Sequence, residues 1–271
     1  MKKLNVTFIL ALISTFILFS CGGKKSGDSN NTLKVGITAG PEQELAEEAK
    51  KVAKEKYNLD VELVSFNEYI MPNESLNQGD IDVNVYQHKP FLDEQVKQRG
   101  YKLAIIGKTF VFPIVAYSKK IKSINELKDG STIAIPNDPT NGGRSLLLLE
   151  KQGLIKLKPN VGLLPKVTDI VENPKKLDII EIDGAQLPRV LDDAKVTLAI
   201  INNNFAVQSG LDKDKEGIFS EDKDSPYVNL VVSREDNKND EKIKQFTEAY
   251  QSEEVAKKAE EIFKGGAVKG W

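Results

Sequence analysis

From Thr32 onward, short apolar runs alternate with stretches of helical periodicity, and this alternation constrains the fold more than any other feature of the chain. Leu33, Val35 and Ile37 alternate as a strand. Pro41 then opens a helix to about residue 56, with Leu45, Ala49, Val52 and Ala53 as its apolar stripe. Glu42 and Glu44 fall in its first turn, where the helix dipole favours acids. Further strands are expected at 61–64, 81–85, 103–106 and 111–117, with helices at 72–78 and 90–99, the latter stopped by Gly100. The rhythm resumes after Ser118: a helical turn at 124–127, a strand at 132–135, a helix at 142–152, a strand at 179–182, a helix at 186–193 and an almost continuously apolar strand at 196–201. A strand at 227–232 and two helices, 240–251 and 253–263, close the chain, with Ser252 placed to cap the second. This order predicts an α/β fold of βαβ units in mainly parallel sheets covered on both faces. Two successive blocks predict two lobes, with a ligand cleft between them at the carboxyl ends of the strands.

The N-terminus carries a different pattern. Met1-Lys2-Lys3 is positively charged, residues 8–19 form an apolar run, and Leu18-Phe19-Ser20-Cys21 ends it. That is the layout of a secretory signal. Its end resembles a bacterial lipobox, with Leu three residues before the only cysteine and a small residue directly before it. The expectation is a lipoprotein signal over 1–20, lipid on Cys21, and a flexible tether rich in Gly, Ser, Asn and Lys over 21–31. The rival, a membrane-spanning helix, needs about 20 apolar residues. This run is shorter and is interrupted by Ser14 and Thr15. With Cys21 taken by lipid, no cysteine remains for a disulfide, and the fold rests on its core.

Composition narrows the function. Two of the 38 basic residues, Lys2 and Lys3, belong to the leader, so 36 face 40 acids in the remainder, with both signs interspersed. Such balance argues against a nucleic-acid partner. One histidine, His88, and one cysteine cannot build a typical zinc site. The sequence contains no nucleophile elbow and no phosphate-binding glycine loop, so neither an enzyme nor a bound cofactor is expected. Asp212-x-Asp214-x-Glu216-Gly217 resembles half of a calcium loop, but Lys223 stands where the bidentate Glu belongs, and a solvated acidic loop is expected.

Chemistry-bearing residues gather at strand ends. Phe66-Asn67-Glu68-Tyr69, Tyr86-Gln87-His88 and Asn202-Asn203-Asn204 each follow a strand. Residues 136–144 connect a strand to a helix, with Thr140 or Asn141 placed as the cap and Arg144 in the first turns. Free helix amides and a planar cation suit a carboxylate. An ion pair between Arg144 and a surface acid is an equal reading. Together these segments sketch a cleft with aromatic walls, amide handles and one arginine.

Ordered motifs extend the picture: Lys34-Val35-Gly36, Phe66-Asn67-x-Tyr69-x-x-Pro72-Asn73, Gly79-Asp80-Ile81-Asp82, Gln87-His88-Lys89-Pro90, Pro136-Asn137-Asp138-Pro139-Thr140-Asn141, Gly143-Arg144, Ser225-Pro226-Tyr227-Val228-Asn229 and the ending Gly265-Gly266-Ala267-Val268-Lys269-Gly270-Trp271. In these the chain resembles the methionine-binding lipoproteins of the NlpA family. The resemblance implies a two-lobed periplasmic-binding-protein fold, type II-like, that captures L-methionine or D-methionine outside the cytoplasm. It also implies delivery to an ABC permease with its ATPase subunit, from a position tied to the membrane through lipid on Cys21. One lobe is expected over 32–113 and 230–271, the other over 114–229. The pocket carried over from the family falls on Tyr69, Tyr86, His88, Arg144, Asn202 and Asn229. Arg144 is expected on the ligand carboxylate. Asn202 and Asn229 would offer oxygens to the ammonium and amide hydrogens to the carboxylate. The two tyrosines and His88 would wall the thioether, which packs well on aromatic edges. Tyr86 stands where the family pattern carries Phe. Three rival readings remain: another amino acid, a methionine-containing dipeptide, or a surface lipoprotein with no role in transport.

Overall fold

The computed structural model describes residues 31–222 and 225–271. The expected signal, Cys21 and all of the tether before Asn31 lie outside the described residues. The first block runs β1 (Thr32–Thr38), α1 (Pro41–Tyr57), β2 (Asp60–Phe66), α2 (Met71–Gln78), β3 (Val83–His88), α3 (Lys89–Arg99) and β4 (Leu103–Val111). The second runs β5 (Val115–Tyr117), β6 (Thr132–Pro136), α4 (Pro139–Lys151), β7 (Lys156–Leu157), β8 (Ile170–Glu172), β9 (Asp178–Ile182), α5 (Leu187–Val190), β10 (Val196–Ile201), α6 (Asn203–Gln208), α7 (Lys213–Glu216) and β11 (Gly217–Ser220). The chain then closes with β12 (Val228–Arg234), α8 (Glu241–Tyr250), α9 (Glu253–Phe263) and β13 (Val268–Lys269).

Two main sheets result, in the orders β13-β4-β12-β3-β1-β2 and β11-β5-β10-β6-β9, while β7 and β8 pair separately. Both sheets are mixed, which corrects the expectation of mainly parallel pairing. β1 runs parallel to β2 and β3, and β6 parallel to β9 and β10, as helix crossovers require. β12 returns from the second sheet, inserts between β3 and β4, and runs antiparallel to both. β5, entering from the first sheet, is antiparallel to β10 and β11. The chain therefore passes between the sheets twice, at 112–114 and on the way from β11 to β12. Pro113 ends the expected strand at 111–117 inside the first passage, since its ring removes a ladder donor.

Packing explains the apolar runs. In β10, Leu198 and Ile200 join one buried cluster while Ala199 and Ile201 join another, so both faces of the second sheet are covered. Burying each such Leu or Ile contributes about 1.5–3 kcal/mol. In the first sheet, Leu45, Ala49, Val52 and Ala53 of α1 share a core with Ile243, Phe246 and Tyr250 of α8 and with Val255 and Phe263 of α9. The closing helices thus pack on the first sheet's helix layer. Ser252 caps α9 as expected, its Oγ accepting from Val255 N. Among the described residues, no helix is long and apolar enough to cross a membrane.

Candidate functional site

A cavity, part of whose empty space of about 380 Å³ is open to solvent, lies where strand ends of both sheets meet. All six residues expected from sequence line it: Tyr69, Tyr86, His88, Arg144, Asn202 and Asn229. Glu42, Gln87, Phe91, Phe112, Asn141, Asn203 and Asn204 complete the wall.

On the first-sheet side, β3 delivers Tyr86 and His88 at its carboxyl end, and the antiparallel register sets Asn229 of β12 opposite His88. Asn229 Nδ2 donates to Tyr86 O at 3.2 Å. The Tyr86 hydroxyl donates to Tyr69 O at 2.9 Å, tying the strand end to the loop that carries Tyr69. Beneath them a buried amide trio, Asn73, Asn84 and Gln87, satisfies its own polar groups and fastens α2 to β3. The aromatic wall is contiguous: Tyr69 lies 5.9 Å from Tyr86, 6.2 Å from Phe91 and 4.7 Å from Phe205 of α6, centroid to centroid.

His88 has a defined protonation. Its Nδ1 accepts from Phe91 N at 3.2 Å, capping α3, so the ring proton sits on Nε2 and is donated to Asn141 Oδ1 at 3.1 Å. Burial, with the Arg144 charge nearby, pushes its pKa down to about 3, and the ring stays neutral.

On the second-sheet side, α4 starts earlier than its apolar pattern indicates. Asp138, not Thr140 or Asn141, is the cap: its Oδ1 accepts from Thr140 N and Asn141 N, with Pro139 at the first helical position. Those amides are therefore occupied and not free for a ligand anion, which corrects that part of the expectation. Gly142 lies inside the helix because a Cβ there would come within 2.8 Å of Pro136 O. Asn141 Nδ2 donates to Asp138 Oδ2 at 3.0 Å, which fixes its Oδ1 as the acceptor for His88 and for Asn202 Nδ2 at 2.9 Å. The chain of polarity from Asp138 and His88 through Asn141 turns Asn202 so that its Oδ1 is the free end. That oxygen is buried and has no partner among the described residues.

Arg144 is only 3% exposed. It does pair with an acid of the chain, Glu221, but that acid is mostly buried rather than a surface one. Nε donates to Glu221 Oε1 at 3.1 Å and Oε2 at 3.2 Å, and Nη2 donates to Glu221 and, at 3.0 Å, to Phe112 O. The guanidinium lies 4.3 Å from the centre of the Tyr227 ring. Nη1 alone has no hydrogen-bond partner among the described residues. Phe112 and Glu221 stand in the two passages between the sheets, so the cation that faces the cavity is braced on both.

Five lining or bracing residues escape the sequence reading: Glu42, Phe91, Phe112, Asn141 in its relay role, and Glu221. Glu42 is 6% exposed, and burial pushes its carboxyl up to about 8. The signal for it is its place in the first turn of α1, just beyond the carboxyl end of β1. Among the described residues no group of His, Cys, Asp or Glu is gathered to hold a metal ion.

Comparison with known proteins gives this geometry a lineage. The D-methionine-binding lipoprotein MetQ of Salmonella typhimurium is 63% identical over 261 residues, covering 96% of this chain and 96% of its own length. A crystal structure of the methionine-binding protein MetQ superposes with a TM-score of 0.87 at 64% identity, covering 89% of this chain and 98% of that one. A nutrient-binding protein of Burkholderia cenocepacia, solved bound to methionine, gives a TM-score of 0.85 at 48% identity and covers 88% of this chain and 100% of that one. The profile described as NlpA lipoprotein matches residues 33–271, and the chain belongs to that family.

Proposed function

We propose that this chain is the substrate-binding lipoprotein of a methionine ABC importer. It captures methionine outside the cytoplasm and hands it to a membrane permease driven by a separate ATPase subunit. One observation carries the reading: in one aromatic-walled cavity, a guanidinium edge faces inward with a buried, unpartnered amide oxygen on the same lining. A free amino acid with an apolar side chain presents the complement of each: carboxylate, ammonium and thioether. Arg144 Nη1 takes the carboxylate, Asn202 Oδ1 takes the ammonium, and Tyr69, Tyr86, Phe91 and His88 enclose the side chain. The names of the relatives, D-methionine-binding and methionine-binding, support the same ligand class.

In this account residues 32–113 with 230–271 form one lobe and 114–229 the other, and ligand binding closes them. Closure excludes water and strengthens the charge contacts. Lipid on Cys21 holds the protein at the bacterial cell membrane, facing the periplasm or the exterior. The chain binds and releases its ligand unchanged; it is not an enzyme.

Residues Asn31–Trp271 form one compact unit, so the soluble chain from Gly22 onward suffices for a test. After unfolding and refolding to strip carried-over ligand, it is titrated calorimetrically with L-methionine, D-methionine, leucine and glycyl-methionine. One-to-one binding of a methionine stereoisomer, stronger than leucine by at least about tenfold, is expected for a site that reads the thioether. A folded sample that binds none of the four contradicts the reading, and stronger binding of glycyl-methionine replaces the ligand with a dipeptide.

A further inference from the structure

A bound zwitterion would bring a positive charge that the six expected residues leave unanswered. Arg144 is already neutralised by Glu221, so a bound zwitterion brings its carboxylate to a satisfied pair and its ammonium to amide oxygens alone. A buried ammonium with no formal counter-charge is costly. Glu42 is the one carboxylate among the residues lining the cavity, and its side chain has no hydrogen-bond partner among the described residues.

The backbone around Glu42 is built to hold it there. Gly40 adopts φ 107°, a conformation that favours glycine, and a Cβ at that position would come within 3.1 Å of Asn204 Oδ1. Asn204, which also lines the cavity, bonds to this turn. Its Oδ1 accepts from Glu42 N at 3.4 Å and its Nδ2 donates to Ala39 O at 2.9 Å. α1 has no side-chain cap of its own, so this amide from α6 serves the first turn of α1 across the two halves of the molecule. Asn202, which presents the free oxygen, lies two residues before Asn204. One segment of the second block therefore brings the amide acceptor and the Glu42 turn together.

We propose that Glu42 is a specificity-determining residue whose carboxylate pairs with the ammonium of the bound amino acid in the cavity that both it and Arg144 line. The proposal rests on the importer reading above and deepens it. It divides recognition of the zwitterion between the two blocks: Arg144 and Asn202 from the second, Glu42 from the first. An amino acid with a blocked or missing amine is then rejected by an unpaired buried acid.

The test compares L-methionine with its deaminated analogue, which keeps the carboxylate and the thioether and lacks the amine. Calorimetry on the soluble wild-type chain is expected to show preference for methionine. Glu42→Gln is expected to weaken methionine by about 10- to 100-fold, as for a hydrogen bond to a charged group, while the analogue changes by less than about threefold. If Glu42→Gln fails to fold, Glu42→Asp withdraws the carboxylate by one methylene and should lower the same ratio. Equal loss for both ligands, or an unchanged ratio, overturns the role of Glu42 and leaves the importer reading standing. A wild-type chain that binds neither ligand overturns both.

Discussion

Arg144→Ala should weaken methionine binding by about 100- to 1,000-fold, the cost of truncating one partner of a buried, hydrogen-bonded charge pair. The size of the effect follows from position. The guanidinium is almost wholly buried, its Nε and Nη2 are committed to Glu221 and Phe112, and its remaining edge faces the cavity. The substitution removes the contact with the ligand carboxylate and also strands Glu221, which is 15% exposed. Some loss of stability should therefore accompany the loss of affinity. A double variant, Arg144→Ala with Glu221→Gln, separates the two: stability should recover in part and affinity should not. Arg144→Lys keeps the charge but cannot fork between Glu221, Phe112 and a ligand at once, so it should also bind weakly. Calorimetric titration with thermal melts in parallel reads both quantities. Affinity near wild type in a folded Arg144→Ala protein contradicts the assignment.

Phe246→Ala should cost about 3–5 kcal/mol of unfolding free energy, the usual range for removing a buried aromatic ring from a core. Phe246 is fully buried in α8, shares a core with Leu45 and Ala49 of α1, and sits edge-on to Tyr250 with centroids 6.0 Å apart. Nothing in this contact touches the cavity, yet α1 carries Glu42 in its first turn, so the ring supports the site through the helix layer. Urea unfolding of the ligand-free chain is the measurement, and saturating ligand should restore part of the loss by mass action. A change under about 1 kcal/mol would mean that the α1–α8 layer is not a cooperative part of this core.

Both predictions draw on features with different legibility in sequence. The strand–helix rhythm is readable because sheets covered on two faces need apolar residues at successive positions, as at Leu198 to Ile201. Sheet order is not, because β12 chooses its place between β3 and β4 only when the chain returns from the second sheet. β13 is two residues long and exists through its pairing with Phe110 and Val111, which no local periodicity announces. The six expected residues, which all line the cavity, are legible through their places near strand ends and through the family motifs. Glu42 is hidden because an acid in a first turn is ordinary dipole chemistry, and its burial depends on Asn204 arriving from a distant segment. Asn141 reads as a cap, whereas Asp138 takes that role and frees Asn141 to orient Asn202. The Tyr86 hydroxyl donates to Tyr69 O and so braces the wall.

The most direct measurement is a crystal structure of the soluble chain with methionine bound. The account predicts one ligand in the cavity, its carboxylate on Arg144 Nη1, its ammonium on Asn202 Oδ1 and its sulfur among Tyr69, Tyr86 and His88. A ligand lying the other way round, with its ammonium toward Arg144, or density at another place on the protein with this cavity empty, would contradict it.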